Sequence, residues 1–475
     1  MITNPSAGEH SQNIPEHSNF SIRIESLDVL RGIAVLFALF VSIWIFGGGS
    51  TNLQNYFLLQ GKGWNHRGYV LMEMLLSGKM RALIALVFGA VMVIYLTREN
   101  IAGRQQHAEV FIRRQLWLIL FGVINAIVFL WTHDILFHLG IMGILLFPFV
   151  RLHYKALFIA AIVTTFIYSG KNFWQYADKQ KMYSKYTKVI QLEEKHKKDS
   201  VANTGKGIVK AKDSLNSIQK RDKKMWESLL EGMKPDLKKD EGARKAMHKK
   251  EYGKIWNHLL PAAQSREAQW TYQLGIWDLA SMIFLGMALF KTGFFSHRYS
   301  KNIYLLIGVA GFVAGLLLSW YRLHYQHVQL VDFTKYIIGN AFPPNIFFPF
   351  ERAFMALGYT GLLLFILKTG FAHRLWKAFA CVGKLSLTNY LLQSIICTIF
   401  FYGYGMGYYG RLSQFQLYVV ATEIIIIQLI FSVLWLRYYN IGPAEWLLRR
   451  LSYGKGQPAI STKDTGTTPA STILL

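Results

Sequence analysis

Cysteine is nearly absent. The 475 residues include two, Cys381 and Cys397, both in apolar C-terminal sequence. This excludes a disulfide framework or a CxxC metal site, and both residues read as buried small hydrophobes. Charged residues are scarce too, at 17% of the chain. There is no GxxxxGK[ST] loop, no dinucleotide fingerprint in a βαβ context, no HExxH and no GxSxG elbow. Their absence argues against ATP-driven transport and soluble cofactor chemistry.

What the sequence does contain is apolar. Hydrophobic residues make up 52% and aromatics 15%, and they come in blocks rather than at amphipathic spacing. That pattern is a polytopic membrane protein. Candidate spans lie near 27–46, 70–96, 113–131, 134–150, 155–170, 272–291, 303–321, 350–368, 380–402 and 415–437. At this hydrophobicity only helices satisfy every backbone group internally, so the expected fold is an all-α bundle of about ten transmembrane helices. The first span follows a polar stretch and lacks a small-residue cleavage signal, so it reads as retained.

The net charge of +25 comes from basic residues in short loops and in one central hydrophilic stretch. A bilayer explains this distribution better than nucleic acid does, and no nucleic-acid partner is expected. One set of short loops holds about 19 Lys and Arg and the other about 5. The positive-inside rule then predicts a cytoplasmic (inner) membrane protein with both termini in the cytoplasm. The expected organisation is a tail (1–26), a first five-span half (27–170), a charged extracytoplasmic insert (171–269), a second half (270–454) and a tail (455–475). The insert carries about 24 basic and about 13 acidic residues, which reads as surface helices, coiled-coil-like or partly disordered.

Several polar groups interrupt this apolar background. Asp28 and Arg31 stand one turn apart at the mouth of the first span; they read either as a register-fixing ion pair or as a phosphate or carboxylate site. Lys79 and Arg81 in "SGKMR" are expected to bind an anion or to snorkel. In "THDILFH", Asp134 and His138 stand at i, i+4, next to His133. A carboxylate there can hold an imidazole for proton transfer. No metal site is expected. Asn389 and Gln393 read as interhelical hydrogen-bonding groups. Glu351 and Arg352 read as an ion pair, and Glu423 as a group needing an internal partner. The glycines of "YGYGMGYYG" read as a tight turn lined by tyrosine.

A family resemblance rests on five blocks. These are "RIESLDVLRGIA" at 23–34, "SGKMRALIALVFGA" at 77–90, "DILFHLGIMGILL" at 134–146, "WDLASMIFLGMALFKTGF" at 277–294 and the long block over 382–454 opening "VGKLSLTNYLLQS". Together they resemble the YeiB-like bacterial membrane proteins, which carry a C-terminal domain of unknown function 418. The "LDVLRG" opening is also similar to that of acyltransferase family three and of the heparan-α-glucosaminide acetyltransferases. That likeness implies transfer of an acyl group from a cytosolic donor of the acyl-CoA type, such as acetyl-CoA, to an extracytoplasmic carbohydrate or similar acceptor.

Under this reading Arg31, Asp28, Lys79 and Arg81 serve the donor, and no cofactor is bound tightly. In acyltransferase family three the catalytic His follows an Arg of the motif after ten intervening residues; from Arg31 that spacing lands on Ser42. The base is then expected among His138 with Asp134, His133 and His66, the last in "GKGWNHRGY", which is similar to the His-bearing loop of the sugar acetyltransferases. Expected partners are the bilayer and an envelope glycan or small-molecule acceptor, and homo-oligomers are compatible. Two alternatives are a secondary transporter or exporter of a small anion and a non-catalytic envelope protein.

Overall fold

A computed structural model describes residues 24–97, 104–204, 215–234, 238–339 and 343–453. The tail expected at 455–475, and all but the last residues of the tail at 1–26, lie outside the described residues. Every regular element among the described residues is helical. Eight helices are long and apolar enough to cross a bilayer, or nine if one bent pair counts as a single span, and a shorter apolar stretch runs over Leu136–Arg151.

Helix α1 (Glu25–Phe46) crosses first. Two short helices, α2 (Thr51–Gln60) and α3 (Gly63–Leu75), lead into α4 (Lys79–Thr97). α5 (Arg104–Ile127) and α6 (Leu136–Leu146) then form a hairpin, and α7 (Tyr154–Thr204) runs for 51 residues without a break. At 1.5 Å per residue α7 is about 75 Å long, far more than a bilayer requires. Its outer part carries α8 (Ser217–Met233), held by Lys223 on Glu193 at 2.7 Å and by Trp226 stacked on Phe333. The charged insert is therefore a helical hairpin whose small aromatic core is shared with Phe333, Tyr336 and Ile337 from later in the chain.

α9 (Lys239–Met247) and α10 (Tyr252–Ser265) bring the chain back. α10 runs on through a π-helical stretch, Arg266–Gly275, into α11 (Ile276–Lys291), one continuous helix of 40 residues that contains an apolar stretch long enough to cross a bilayer. The helix itself starts well before the expected span at 272. Its first turns are amphipathic, and Pro261 lies within them, so they do not read as a hydrophobic run. α12 (Lys301–Val331), α13 (Phe333–Gly339) and α14 (Phe348–Thr369) follow, then α15 (His373–Lys384) and α16 (Ser386–Phe401), bent by 79°. α17 (Gln414–Tyr438) and α18 (Pro443–Tyr453) complete the described chain.

The bundle has two distinct ends. At one, Ser26 donates to the Phe295 carbonyl and Trp117 to the Leu451 carbonyl, which brings the starts of α1 and α5 together with α18. At the other, which we call the insert face, the insert packs onto the loops: Ser50 donates to Asp240 at 2.7 Å, Asn55 to the Met233 carbonyl, and the Gly403 amide to the Met247 carbonyl. Between the ends lies a continuous apolar core. Small residues let helices meet closely across it. Gly308, Gly311 and Gly315 of α12 lie against Gly361, Gly358 and Met355 of α14, where a Cβ would meet backbone or side-chain atoms.

Polar residues join α16 to α17. Asn389 donates to Ser432 at 2.9 Å, Gln393 to Gln428 at 2.8 Å, and Gln428 to the Asn389 carbonyl at 2.8 Å. The interhelical role expected of Asn389 and Gln393 is what they perform. Cys397 is buried, Cys381 is half-buried, and neither forms a disulfide. Glu423 differs from expectation: it is exposed on α17 beside Ile426 and Ile427 rather than facing a partner inside. The apolar residues around it run along the whole helix, so its sequence does not mark an inner face.

Candidate functional site

The site begins at the break between α3 and α4. Gly78 adopts φ +73°, and a Cβ there would meet Phe348 at 2.9 Å, so glycine suits both the turn and the packing. Breaking the helix frees carbonyls that must be satisfied. Lys79 donates to the Glu73 carbonyl at 2.8 Å, Tyr359 to the Leu75 carbonyl at 2.6 Å and Arg352 Nε to the Gly78 carbonyl at 2.9 Å. These contacts draw basic side chains into the bundle.

Two charge clusters result. In the first, Lys79 meets Glu351 at 2.5 Å with both side chains fully buried. Arg322 reaches the other oxygen of Glu351 at 2.8 Å and Glu73 at 3.2 Å, and Ser319 donates to Glu351 at 2.8 Å. Two cations face two carboxylates here. Lys79 therefore neither snorkels nor stands ready for an anion. Glu351 is paired with Lys79 and Arg322 rather than with Arg352, because adjacent residues on a helix point about 100° apart.

The second cluster is not balanced. Arg352 contacts Asp278, and Arg81 reaches the same carboxylate at 3.1 Å. Trp270, in the π-helical stretch, has the Arg266 guanidinium 3.5 Å from its ring centre, that of Arg81 at 5.0 Å, and the His138 ring edge-on at 5.1 Å. Among the described residues Asp278 is the one carboxylate ion-paired with Arg81 and Arg352, and Arg266 forms no ion pair.

A cavity of about 350 Å³ opens on the insert face. Trp44, Tyr69 and Tyr418 give it aromatic walls, and Gln54, Glu73 and Gln414 supply polar groups. His133 also lines it, from the loop between α5 and α6. The imidazole is reachable from the cavity yet surrounded by protein. Burial, reinforced by the positive charges of Arg266 and Arg81, holds it well below the usual imidazole range. It is neutral at physiological pH, with Nδ1 3.0 Å from the Thr132 hydroxyl.

Asp134 does something else. Its carboxylate accepts from Asn125 at 2.8 Å, from the Phe137 amide at 2.9 Å and from Tyr390 at 3.2 Å, and so caps the start of α6. It is committed to these donors rather than to the His138 ring, which has the backbone of Arg266 and Asp134 as its polar neighbours. His138 is buried against Trp270 and does not line the cavity. His66 is tied by Nδ1 to the Phe57 carbonyl at 2.8 Å, closing the α2–α3 turn. Among the described residues no three His, Cys, Asp or Glu side chains gather as a metal site.

Asp28 and Arg31 lie at the opposite end of α1, 3.5 Å apart, with Arg31 also donating to the Gly383 carbonyl. Glu445 of α18 is near them in the fold. It accepts from the Leu387 and Thr388 amides and from the Thr388 hydroxyl, securing the bend between α15 and α16. The candidate residues thus divide between the two ends: Lys79, Arg81, His133, Asp134 and His138 are brought together toward the insert face, and Asp28 and Arg31 are not with them. Sequence reasoning missed Arg266, Trp270, Asp278 and the pairing of Arg352. The signal available was a tryptophan and an arginine directly before the apolar run that starts at 272, in a segment that reads as soluble insert.

Residues 289–455 match a family described as a protein of unknown function, DUF418. The chain is 24% identical over 443 residues to the uncharacterized protein YxaH of Bacillus subtilis (strain 168), covering 92% of this chain and 96% of that protein. It is 32% identical over 187 residues to the uncharacterized protein YeiB of Escherichia coli (strain K12), covering 39% of this chain and 46% of that protein. No solved structure matches.

Proposed function

We propose that this chain, a YeiB-like multi-pass membrane protein with a DUF418 region toward its C-terminus, is an acyltransferase acting on a hydroxyl-bearing acceptor held in the insert-face cavity. The observation that carries the reading is His133, a neutral imidazole facing a solvent-reached cavity. The rings of Trp44, Tyr69 and Tyr418 suit the apolar faces of a carbohydrate-like acceptor, and Gln54, Glu73 and Gln414 suit its hydroxyls. In this mechanism His133 removes the proton of an acceptor hydroxyl, and the oxygen attacks the carbonyl of an acyl thioester. The tetrahedral adduct then collapses, the thiolate leaves, and the imidazolium returns the proton to it.

The donor, of acyl-CoA type, is assigned to the other end of α1. Arg31 offers its guanidinium to a donor phosphate there, with Asp28 orienting it. Residues 31 and 40–44 are about 14–20 Å apart along the helix, a distance that a long flexible thioester arm spans. Leu36 and Leu39, buried between them, must yield for the arm to pass. The positive-inside bias puts the Arg31 end in the cytoplasm and the insert outside.

Reconstitution in proteoliposomes tests this. With acyl thioester on the Arg31 side and a sugar acceptor on the insert side, wild type should acylate the acceptor and His133→Gln should not. Absence of transfer by the wild-type protein across a panel of thioesters and sugars, or full transfer by His133→Gln, overturns the reading. A second reading, anion export, draws on the helix breaks that border the site: the α3–α4 turn and the π-helical stretch. Irregular backbone of this kind lines solute sites in transporters. Saturable anion flux without acyl transfer would favour it.

A further inference from the structure

We propose that Arg81, Arg266 and Arg352, gathered around Trp270 and Asp278, form a binding site for a phosphate-type oxyanion, either a lipid headgroup phosphate or a free phosphate. The charge count motivates it. Arg81 and Arg352 share one carboxylate, Asp278, whose side chain is 2% exposed, and Arg266 has no ion-pair partner among the described residues. Guanidinium groups do not deprotonate in proteins, so the excess of two positive charges persists at any working pH. Burying such an excess is costly unless an anion compensates it.

The hydrogen-bond inventory independently indicates a ligand. Arg81 Nε and Arg266 Nε are buried atoms with no hydrogen-bond partner, and Arg352 and His138 bring further N–H groups to the same cluster. Arg352 is 1% exposed, and beside Asp278 its polar neighbour is the Tyr168 hydroxyl. Arg266 lies flat on the Trp270 ring, which leaves its in-plane N–H groups free to donate at the edge. These groups come from α4, the π-helical stretch, α14 and α6, and approach from different directions. A planar carboxylate satisfies one or two arginine forks. A tetrahedral phosphate presents acceptors in several directions at once and matches donors converging from four elements. Arg81, whose side chain is 26% exposed, opens the cluster to its surroundings.

The inference stands on binding alone and does not require acyl transfer. Full-length protein in a phosphate-free maltoside detergent would be titrated calorimetrically with inorganic phosphate, and in parallel with phosphatidylglycerol doped into the micelles. Arg266→Gln is the informative variant, because Arg266 holds no carboxylate whose loss would unfold the bundle. Arg266→Lys keeps the charge and loses the fork. Saturable binding of either ligand, weakened by about tenfold or more in Arg266→Gln and by less in Arg266→Lys, supports the site. Which ligand binds tells headgroup from free anion. Binding of neither ligand, or binding that the variants leave unchanged, overturns the proposal.

Discussion

Two buried charge clusters lie on either side of the α3–α4 break, and they differ in one respect: the first is neutral and the second is not. Lys79 and Arg322 answer Glu73 and Glu351 with nearly every charged atom engaged. Arg81 and Arg352 share Asp278, Arg266 pairs with no carboxylate among the described residues, and donors are left unused. The comparison teaches how to read a charge within a membrane bundle. A balanced set fixes how helices meet, and its members tolerate no loss. A set carrying excess charge is costly in the isolated protein, and that cost marks a place where something else binds. The cavity with His133 is lined by Glu73 of the first set.

The sharpest consequence is catalytic. His133→Gln should lower acyl transfer in proteoliposomes by roughly 10² to 10⁴ fold, the usual contribution of a placed base, while leaving the unfolding temperature unchanged. His138→Gln should lower it far less, since its ring does not reach the cavity. A larger loss in His138→Gln than in His133→Gln would move the chemistry from the cavity to the face of Trp270.

The balanced cluster should respond in stability instead. Glu351→Gln leaves Lys79 and Arg322 facing an uncharged amide, and unfolding should cost about 3–5 kcal/mol less. Chemical denaturation in detergent reads this, and wild-type stability in that variant would dissolve the distinction between the clusters. At the far end of α1, Arg31→Lys should weaken binding of an acyl-CoA-type donor by about tenfold, because an ammonium cannot reproduce the planar fork. Unchanged donor binding by calorimetry would assign Arg31 to helix pairing with Asp28 and Gly383.

A smaller effect concerns pH. Burial raises the Asp134 carboxyl from 3.8 to about 7, against the pull of Asn125, the Phe137 amide and Tyr390. The folded state therefore holds a proton that the unfolded state has released between those values, and stability should fall as pH rises through that window. Asp134→Asn should remove that slope. His133 shifts the other way, so activity should persist as pH falls from 7 to 5. A rate limb near 6.5 would contradict a neutral, field-depressed imidazole.

Much of the bundle is legible in the sequence because a bilayer demands long apolar runs and helices alone satisfy them. The pairing of Asn389 and Gln393 across α16 and α17 was legible for the same reason, since polar side chains within apolar runs need partners. The site was legible only in part. Lys79, Arg81 and His133 announce themselves as polar residues beside spans, but the partners of Lys79 and Arg81 lie some two to three hundred residues away, and local spacing carries nothing about them. Glu351 and Arg352 stand side by side in sequence and serve different clusters. Trp270 and Arg266 sit in a span whose opening turns are amphipathic, so no hydropathy window includes them. Asp134 and His138 share a face at i, i+4, yet the cap required by α6 takes the carboxylate.

The most direct measurement sets the two clusters against each other in one protein. Thermal unfolding of Arg266→Gln and Glu351→Gln would be compared in phosphate-free maltoside micelles. Removing one of three crowded guanidiniums relieves repulsion and desolvation, so Arg266→Gln is expected to unfold at or above the wild-type temperature, and Glu351→Gln well below it. Arg266→Gln unfolding as early as Glu351→Gln would show that its charge holds the fold together, and would contradict the account.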